Sequence, residues 1–306
     1  MKRRFVSFLL LAVAAAACRR GGSETTIALV PMAMDSEFWL ALAEGARAAA
    51  ATRPDVRLSI VAPDREINID QQVSILEDQI RRGVRALVVA PSGPAQVMPV
   101  LDLAAARGIP VVLVDTDAPW PRKVSYIGTD NRKGGGLAAR FLAERLHGRG
   151  RIAMIHGLPG NLSQDERASG FVDALGGFVG MELVARQPAH SERALALTVM
   201  ENILTAHPDL EAVFATNDQM ALGALEALDA RGLRGRVLVV GFDATQEAVR
   251  ATLEGRLTAT IAQNPEAMGR KGVEAALAAL EGRPVPARVD TGTDLVTAEN
   301  AARSLK

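Results

Sequence analysis

The sequence predicts an α/β protein made of two Rossmann-like, doubly wound parallel-sheet lobes. The chain has 306 residues, and ten short apolar runs recur along it, most of them separated by helix-length amphipathic segments. Apolar strands that alternate with helices are typical of parallel sheets covered on both faces. Ten strands are too many for one compact sheet of this type, so we expect two lobes.

Each predicted strand is an apolar run that ends in polar or turn-forming residues. The runs are "TIALV" (26–30), "RLSIVAP" (57–63), "ALVVAP" (86–91), "PVVLVD" (110–115), "SYIGTD" (125–130), "RIAMIHG" (151–157), "ELVARQP" (182–188), "AVFATN" (212–217), "VLVVGFD" (237–243) and "TATIAQN" (258–264). The predicted helices between them include 38–51, 69–82, 192–206 and 220–230. The segment "YIGTDN" (126–131) is the natural place for the chain to cross from one lobe to the other.

The N-terminal segment has the pattern of an export signal. A basic "MKRR" precedes the apolar "FVSFLLLAVAAAA", which is too short for a good membrane-spanning helix. The run ends at Cys18, the only cysteine in the chain. "AAAC" resembles a bacterial lipoprotein signal, which implies lipid on Cys18 and an exported, lipid-anchored protein. The alternative is an ordinary secretory peptide with a coincidental cysteine.

Composition argues against nucleic acid as a partner. The chain carries 35 basic and 35 acidic side chains and has no long basic run. Catalytic patterns are also missing, since there is no phosphate-binding loop and no "GxSxG", and the four histidines lack metal-ligand spacing. We therefore expect a binding protein rather than an enzyme, with no cofactor and no metal.

The polar residues at the strand ends are the candidate site. In open parallel sheets ligands bind outside the carboxyl ends of the strands. Carboxylates and amides recur there, and such groups suit the hydroxyls of a sugar or polyol; the strongest candidates are Asp115, Asn217, Asp243 and Gln263. For Asp243, and for either Asn217 or Asp218, the alternative is a helix N-cap. For Asp115 the alternative is a cap or a turn.

Three further side chains have both a binding and a structural interpretation. Phe38 and Trp39 either form an aromatic wall against a sugar ring or pack in the core at a helix start. Arg167 either binds ligand or forms a surface ion pair.

The motifs resemble the ribose-type periplasmic sugar-binding proteins of ABC transporters. The resemblance rests on "YIGTDN", "ENILTAHPDLEAVFATND" (201–218), "TNDQMALGALEAL" (216–228), "VVGFDAT" (239–245) and "LTATIAQNPEAMGRKGVE" (257–274), which occur in the family's order. It implies two lobes joined by three hinge crossings, with the ligand in the cleft. The implied boundaries are a signal peptide at 1–17, a tether at 18–25, an N-terminal lobe of 26–127 plus 264–291, and a C-terminal lobe of 128–263 plus 292–306.

The resemblance also implies roles for individual residues. Those matching positions that hydrogen-bond the sugar are Asp115, Arg167, Asn217, Asp243 and Gln263, and those matching the aromatic pair that sandwiches it are Phe38 and Trp39. Ser36 and Thr116 are two further candidates, since they stand where ribose binders carry Asn and Arg. Ser191 stands where those proteins carry an aromatic residue. These departures predict a ligand other than ribose.

Four functions remain to be compared. The first is capture of a monosaccharide or related polyol by a monomer that delivers it to an ABC permease. The second is a sensor that presents the sugar to a membrane receptor or histidine kinase. A repressor-type effector domain shares the fold, but an export signal here occupies the place of its DNA-binding segment. The fourth, an enzyme on the same scaffold, has no nucleophile–base pair or metal cluster in its favour.

Overall fold

The computed structural model describes residues 24–305. The predicted signal peptide at 1–17 and the predicted lipidation site at Cys18 lie outside this range. Within it the chain forms twelve strands: β1 (Thr25–Val30), β2 (Val56–Ile60), β3 (Ala86–Val89), β4 (Val111–Val114), β5 (Ser125–Gly128), β6 (Arg149–His156), β7 (Gly180–Pro188), β8 (Ala212–Ala215), β9 (Leu238–Asp243), β10 (Ala259–Ala262), β11 (Arg288–Asp290) and β12 (Asp294–Thr297).

The described residues also form nine α-helices and a short 3-10 helix. The helices are α1 (Glu37–Ala51), α2 (Ile69–Arg81), α3 (Pro94–Ala106), α4 (Asn131–Arg145), α5 (Leu162–Leu175), α6 (Arg193–Ala206), α7 (Asp218–Ala230), α8 (Gln246–Leu253) and α9 (Pro265–Leu280), followed by the 3-10 helix Ala301–Ser304. All ten predicted strands are present. The structure adds β11 and β12, which the sequence pattern does not reveal.

The strands form two six-stranded sheets, one in each lobe. The first has the order β11-β5-β4-β3-β1-β2 and is parallel throughout. The second has the order β12-β10-β9-β8-β6-β7, and only its β10–β12 pair is antiparallel. The chain passes between the sheets after β5, after β10 and after β11, which gives three crossings.

Helices cover both faces of each sheet, which confirms the doubly wound prediction. In the first lobe α1 and α9 pack together on one face, and α2 and α3 on the other. In the second lobe α4 and α5 cover one face, and α6 and α7 the other. The strands between these layers are almost fully buried, and this explains their continuous apolar sequence.

A close helix contact in the second lobe fixes the position of α5. The backbones of α4 and α5 meet at Gly135 and Gly170, where a β-carbon would overlap the carbonyl groups of Arg167 and Arg132 respectively. Only glycine permits this approach. Gly135 and Gly170 therefore set how near α5, which carries Arg167, lies to α4.

Candidate ligand-binding site

A polar cleft lies between the two lobes at the carboxyl ends of their strands. Its volume is about 260 Å³, close to the lower end of the range for small-molecule sites. Both lobes contribute to its lining. All seven residues of the main predicted set line it: Phe38, Trp39, Asp115, Arg167, Asn217, Asp243 and Gln263.

The aromatic pair stands at the start of α1, directly after the loop that follows β1. The rings of Phe38 and Trp39 meet edge to face, with centroids 4.9 Å apart. Trp39 Nε1 donates a hydrogen bond of 2.9 Å to Glu66 Oε1, which fixes the indole. Ser36 also lines the cleft, and its side chain makes no capping hydrogen bond to α1. Both interpretations of the pair therefore hold, because the rings are buried and also border the cleft.

Asp115 and Thr116 follow β4, and they occupy different positions. Asp115 has a left-handed φ of 61° and is only 4% exposed. The Thr116 hydroxyl lies 2.9 Å from Asp115 Oδ2 and 2.9 Å from Ser163 Oγ, so Thr116 stands behind Asp115 and is not part of the cleft lining. Thr116 was a candidate ligand-binding residue, but Ser163 of the second lobe packs against its hydroxyl and lines the cleft in its place.

Arg167 is buried, so the surface ion pair is not what the structure shows. It lies on α5 at 2% exposure. Its Nε donates to Asn131 Oδ1 at 2.8 Å, and its Nη1 donates to Thr216 O at 2.8 Å. The guanidinium stacks 4.0 Å above the ring centroid of Phe242. These contacts hold the guanidinium rigidly at the base of the cleft.

Asp243 connects Arg167 to the end of β10. Its Oδ1 accepts hydrogen bonds from Arg167 Nη1 at 3.4 Å and from Gln263 Nε2 at 2.7 Å. Burial raises the pKa of Asp243, and the charge of Arg167 opposes that rise. Asp243 is not a helix cap, because Thr245 caps α8 through a bond from Ala248 N. Asp243 instead has a φ of 124°, a strained conformation that directs it into the cleft.

Asn217 and Asp218 both follow β8 but face different ways. Asn217 Oδ1 caps α7 by accepting from Met220 N at 2.9 Å, and the residue also borders the cleft. Asp218 is fully buried and accepts from Thr245 N at 2.8 Å and from Thr260 Oγ1 at 2.7 Å. Asp218 therefore braces the turn after β9, and Asn217 is the one available to a ligand.

Two residues of the site were not predicted from the sequence. Asn131, at the start of α4, orients Arg167. Glu66 lies in the loop after β2 and lines the cleft beside Trp39. Burial raises the pKa of Glu66 to about 7, the hydrogen bond from Trp39 opposes the rise, and the charges of Asp115 and Asp35 add to it. Asn131 ends the motif "YIGTDN", but we assigned it no role in the site; Glu66 belongs to no motif and does not follow a strand directly.

The lobes are closed around the cleft in this structure. Asn161 Nδ2 of the second lobe donates to Ser92 O of the first at 3.2 Å. At the rim, Arg65 and Glu192 form an ion pair of 3.1 Å across the opening. Closure brings the polar residues of both lobes within reach of one small ligand.

The described residues contain no group of three or more His, Cys, Asp or Glu side chains arranged to hold a metal ion. Within the same range no helix is both long enough and apolar enough to span a membrane.

Comparison with known families decides the classification. Residues 27–284 match the model of the periplasmic binding protein domain. The chain belongs to the periplasmic binding protein family. Membership implies an exported, periplasmic protein, in agreement with the N-terminal signal pattern.

Named relatives and solved structures agree with the fold. The chain is 36% identical to the ribose import binding protein of Bacillus subtilis over 274 residues, which is 90% of this chain and 88% of that protein. A solute-binding protein of an Agrobacterium vitis ABC transporter, solved with bound D-fucose, superposes with a TM-score of 0.89 at 30% identity and covers 92% of this chain and 100% of its own. A Bacillus halodurans solute-binding protein with bound myo-inositol gives a TM-score of 0.87 at 28% identity, with coverage of 92% and 97%.

Proposed function

We propose that this protein captures one monosaccharide-sized polyol in the cleft and delivers it to an ABC permease in the cytoplasmic membrane. The observation that carries the proposal is the convergence of hydrogen-bonding side chains from both lobes on one small enclosed cavity. Relatives that import ribose, and neighbours solved with D-fucose or myo-inositol, support the same ligand class. The function is binding without catalysis, by a monomer.

The proposed contacts follow from the chemistry of each side chain. Arg167 and the amide of Asn217 donate to ligand oxygens, and the carboxylates of Asp115 and Asp243 accept from ligand hydroxyls. Gln263 Oε1 is buried in the lining without a hydrogen-bond partner, so it is a further acceptor. Phe38 and Trp39 pack against the apolar face of the ring.

The preferred ligand is a hexose, a cyclitol or a substituted pentose rather than ribose. Ser36 stands where ribose binders carry Asn, and it offers a single hydroxyl. Trp39 is a broad apolar platform held in place by Glu66. Glu66 adds a carboxylate to the first-lobe side of the cleft, and this carboxylate has to be matched by donors on the ligand.

Export and anchoring are part of the proposal. Cys18 directly follows the apolar signal segment, and we propose that it carries the lipid that holds the protein at the membrane. Mass spectrometry of the mature N-terminus from the native host tests this directly. A mature chain that begins at any residue other than Cys18 excludes the lipid anchor.

A thermal-shift panel of pentoses, hexoses and cyclitols tests the binding function. A ligand that binds only the folded state raises the melting temperature. Small-angle scattering of the same samples follows closure of the lobes, which is a hinge motion. The expected result is a raised melting temperature with at least one ring polyol and a smaller radius of gyration. A panel without any stabilising ligand contradicts the function, and binding without compaction contradicts the hinge closure alone.

A further inference from the structure

The cleft has more acidic than basic side chains. Three arginines line it, Arg65, Arg167 and Arg193, together with five acidic residues, Asp35, Glu66, Asp115, Glu192 and Asp243. His190 of the second lobe is the remaining titratable residue of the lining. The imbalance matters most in the inner part of the cleft, where Asp115 is only 4% exposed, whereas Asp35 and Arg65 at the rim stay accessible to water.

Each arginine is already paired with a carboxylate. Arg65 binds Glu192 at 3.1 Å across the rim. Arg193 binds Glu226 and Glu247, both outside the lining, at 2.5 and 2.8 Å. Arg167 binds Asp243, and its charge also acts on Asp115. None of the three forms an ion pair with a first-lobe carboxylate of the lining, although the charge of Arg65 also acts on Asp35.

Three carboxylates stay without an ion pair within the described part of the chain: Asp35, Glu66 and Asp115. All three belong to the first lobe. Asp35 and Asp115 add to the negative potential at Glu66, and burial raises the pKa of all three groups.

Hydrogen-bond acceptors in the lining also lack donors. Asp115 is only 4% exposed. Its carboxylate accepts one side-chain hydrogen bond, from the Thr116 hydroxyl to Oδ2. Glu66 accepts from Trp39 through Oε1, and the Ser191 hydroxyl interacts with the same carboxyl group. Gln263 Oε1 is buried without a partner in the same lining. The cleft therefore suits a ligand that brings donors and positive charge.

We propose that the ligand is a cationic polyol, a monosaccharide-sized ring whose protonated amine binds Glu66 on the first-lobe side of the cleft. An ammonium group has three donors and no acceptor, so it matches this surplus of acceptors. It also pairs with the ionised carboxylate of Glu66, whereas beside a neutral ring this desolvated carboxyl group is stabilised only by taking up a proton. The neighbouring indole of Trp39 adds a cation–π contribution. This assignment rests on the proposed function, because it specifies the ligand of that same site.

Calorimetry with matched pairs of ligands tests the assignment. The pairs are galactosamine with galactose, glucosamine with glucose, mannosamine with mannose, and an amino-inositol with myo-inositol. In each pair only the amine differs. A hydrogen bond to a charged group contributes about 1.5–3 kcal/mol, so the preferred amine should bind about 10- to 150-fold more tightly than its neutral partner.

Glu66→Gln tests the residue itself. Glutamine keeps the oxygen that accepts from Trp39 Nε1 and removes the charge, so this variant should abolish the preference for the amine. Glu44→Gln is the matched control, because it removes the same charge from the exposed face of α1, where the Glu44 side chain is 69% accessible. The control should keep the preference.

The outcomes separate the assignment from the proposed function. Neutral rings that bind as tightly as every amine overturn the cationic ligand and leave sugar capture intact. A preference for the amine that survives in Glu66→Gln overturns the role of Glu66. If no ring compound binds, the proposed function fails together with the assignment. The wild-type comparison decides the ligand class even when the variant fails to fold.

Discussion

Removing the Asp218 carboxylate should destabilise the second lobe strongly. In Asp218→Ala the buried N–H of Thr245 loses its acceptor, which costs about 1–3 kcal/mol. The hydroxyls of Thr245 and Thr260 each lose the acceptor for their proton, at about 0.5–1.5 kcal/mol apiece. Together these losses lower the free energy of unfolding by about 2–6 kcal/mol. Ligand affinity also falls, because the same turn carries Asp243.

Urea unfolding followed by far-UV circular dichroism measures the loss. Both tryptophans of the chain, Trp39 and Trp120, lie in the first lobe, so their fluorescence provides an internal reference for that lobe. Asn217→Ala is the matched comparison one residue earlier. It removes a helix cap, which costs about 1 kcal/mol. An Asp218→Ala variant within about 1 kcal/mol of the wild type would refute the bracing role.

Three further predictions concern the site and its scaffold. Asn217→Ala and Asp243→Ala should each weaken ligand binding by about 5- to 150-fold in calorimetry, because a ligand group is left unpaired; normal affinity in both variants would leave only structural roles. Gly135→Ala should lower stability by about 1–3 kcal/mol in urea unfolding, since the new methyl group overlaps α5, whereas Gly136→Ala meets only the end of a flexible arginine and should be neutral. The melting temperature of the ligand-free protein should fall between about pH 5 and pH 8. The pKa of Glu66 in the folded state is about 7, above its ordinary value of 4.5. The stabilising contribution of Glu66 is therefore complete at low pH and is lost as the pH rises through 7. Glu66→Gln should reduce the slope without removing it, because burial also raises the pKa of Asp218 and Asp243; an unchanged slope contradicts the contribution of Glu66.

The strand pattern and the strand-end rule account for most of what the sequence predicts. Eight of the ten predicted strands are mostly buried, so apolar runs identify them, whereas β2 and β7 lie at the sheet edges and are only half-buried. β11 and β12 escape detection because they have three and four residues at the sheet edges and no apolar run. Asp115, Asn217 and Asp243 are found because parallel strands bring their carboxyl ends to one edge.

The remaining residues depend on tertiary structure that a linear pattern does not contain. Arg167 is buried because Asn131, Thr216 and Phe242, from three separate elements, surround its guanidinium. Glu66 becomes part of the site only when the loop after β2 folds against Trp39. Thr116 was predicted to lie in the cleft because it follows β4. In the structure Ser163 of the second lobe covers it, so this prediction was wrong for the same reason that others were missed.

The position of α9 constrains the order in which the chain can fold. Met268 and Val273 of this helix belong to an apolar core of the first lobe. They share that core with residues of α1, which lie more than two hundred positions earlier in the sequence. The glycines Gly45 and Gly269 place the two helices in backbone contact. The core between the first-lobe sheet and the layer of α1 and α9 therefore cannot be completed during synthesis until α9 exists, and contacts of such separation form slowly. For an exported chain this delay is useful, because an incomplete lobe is easier to keep extended than a finished one.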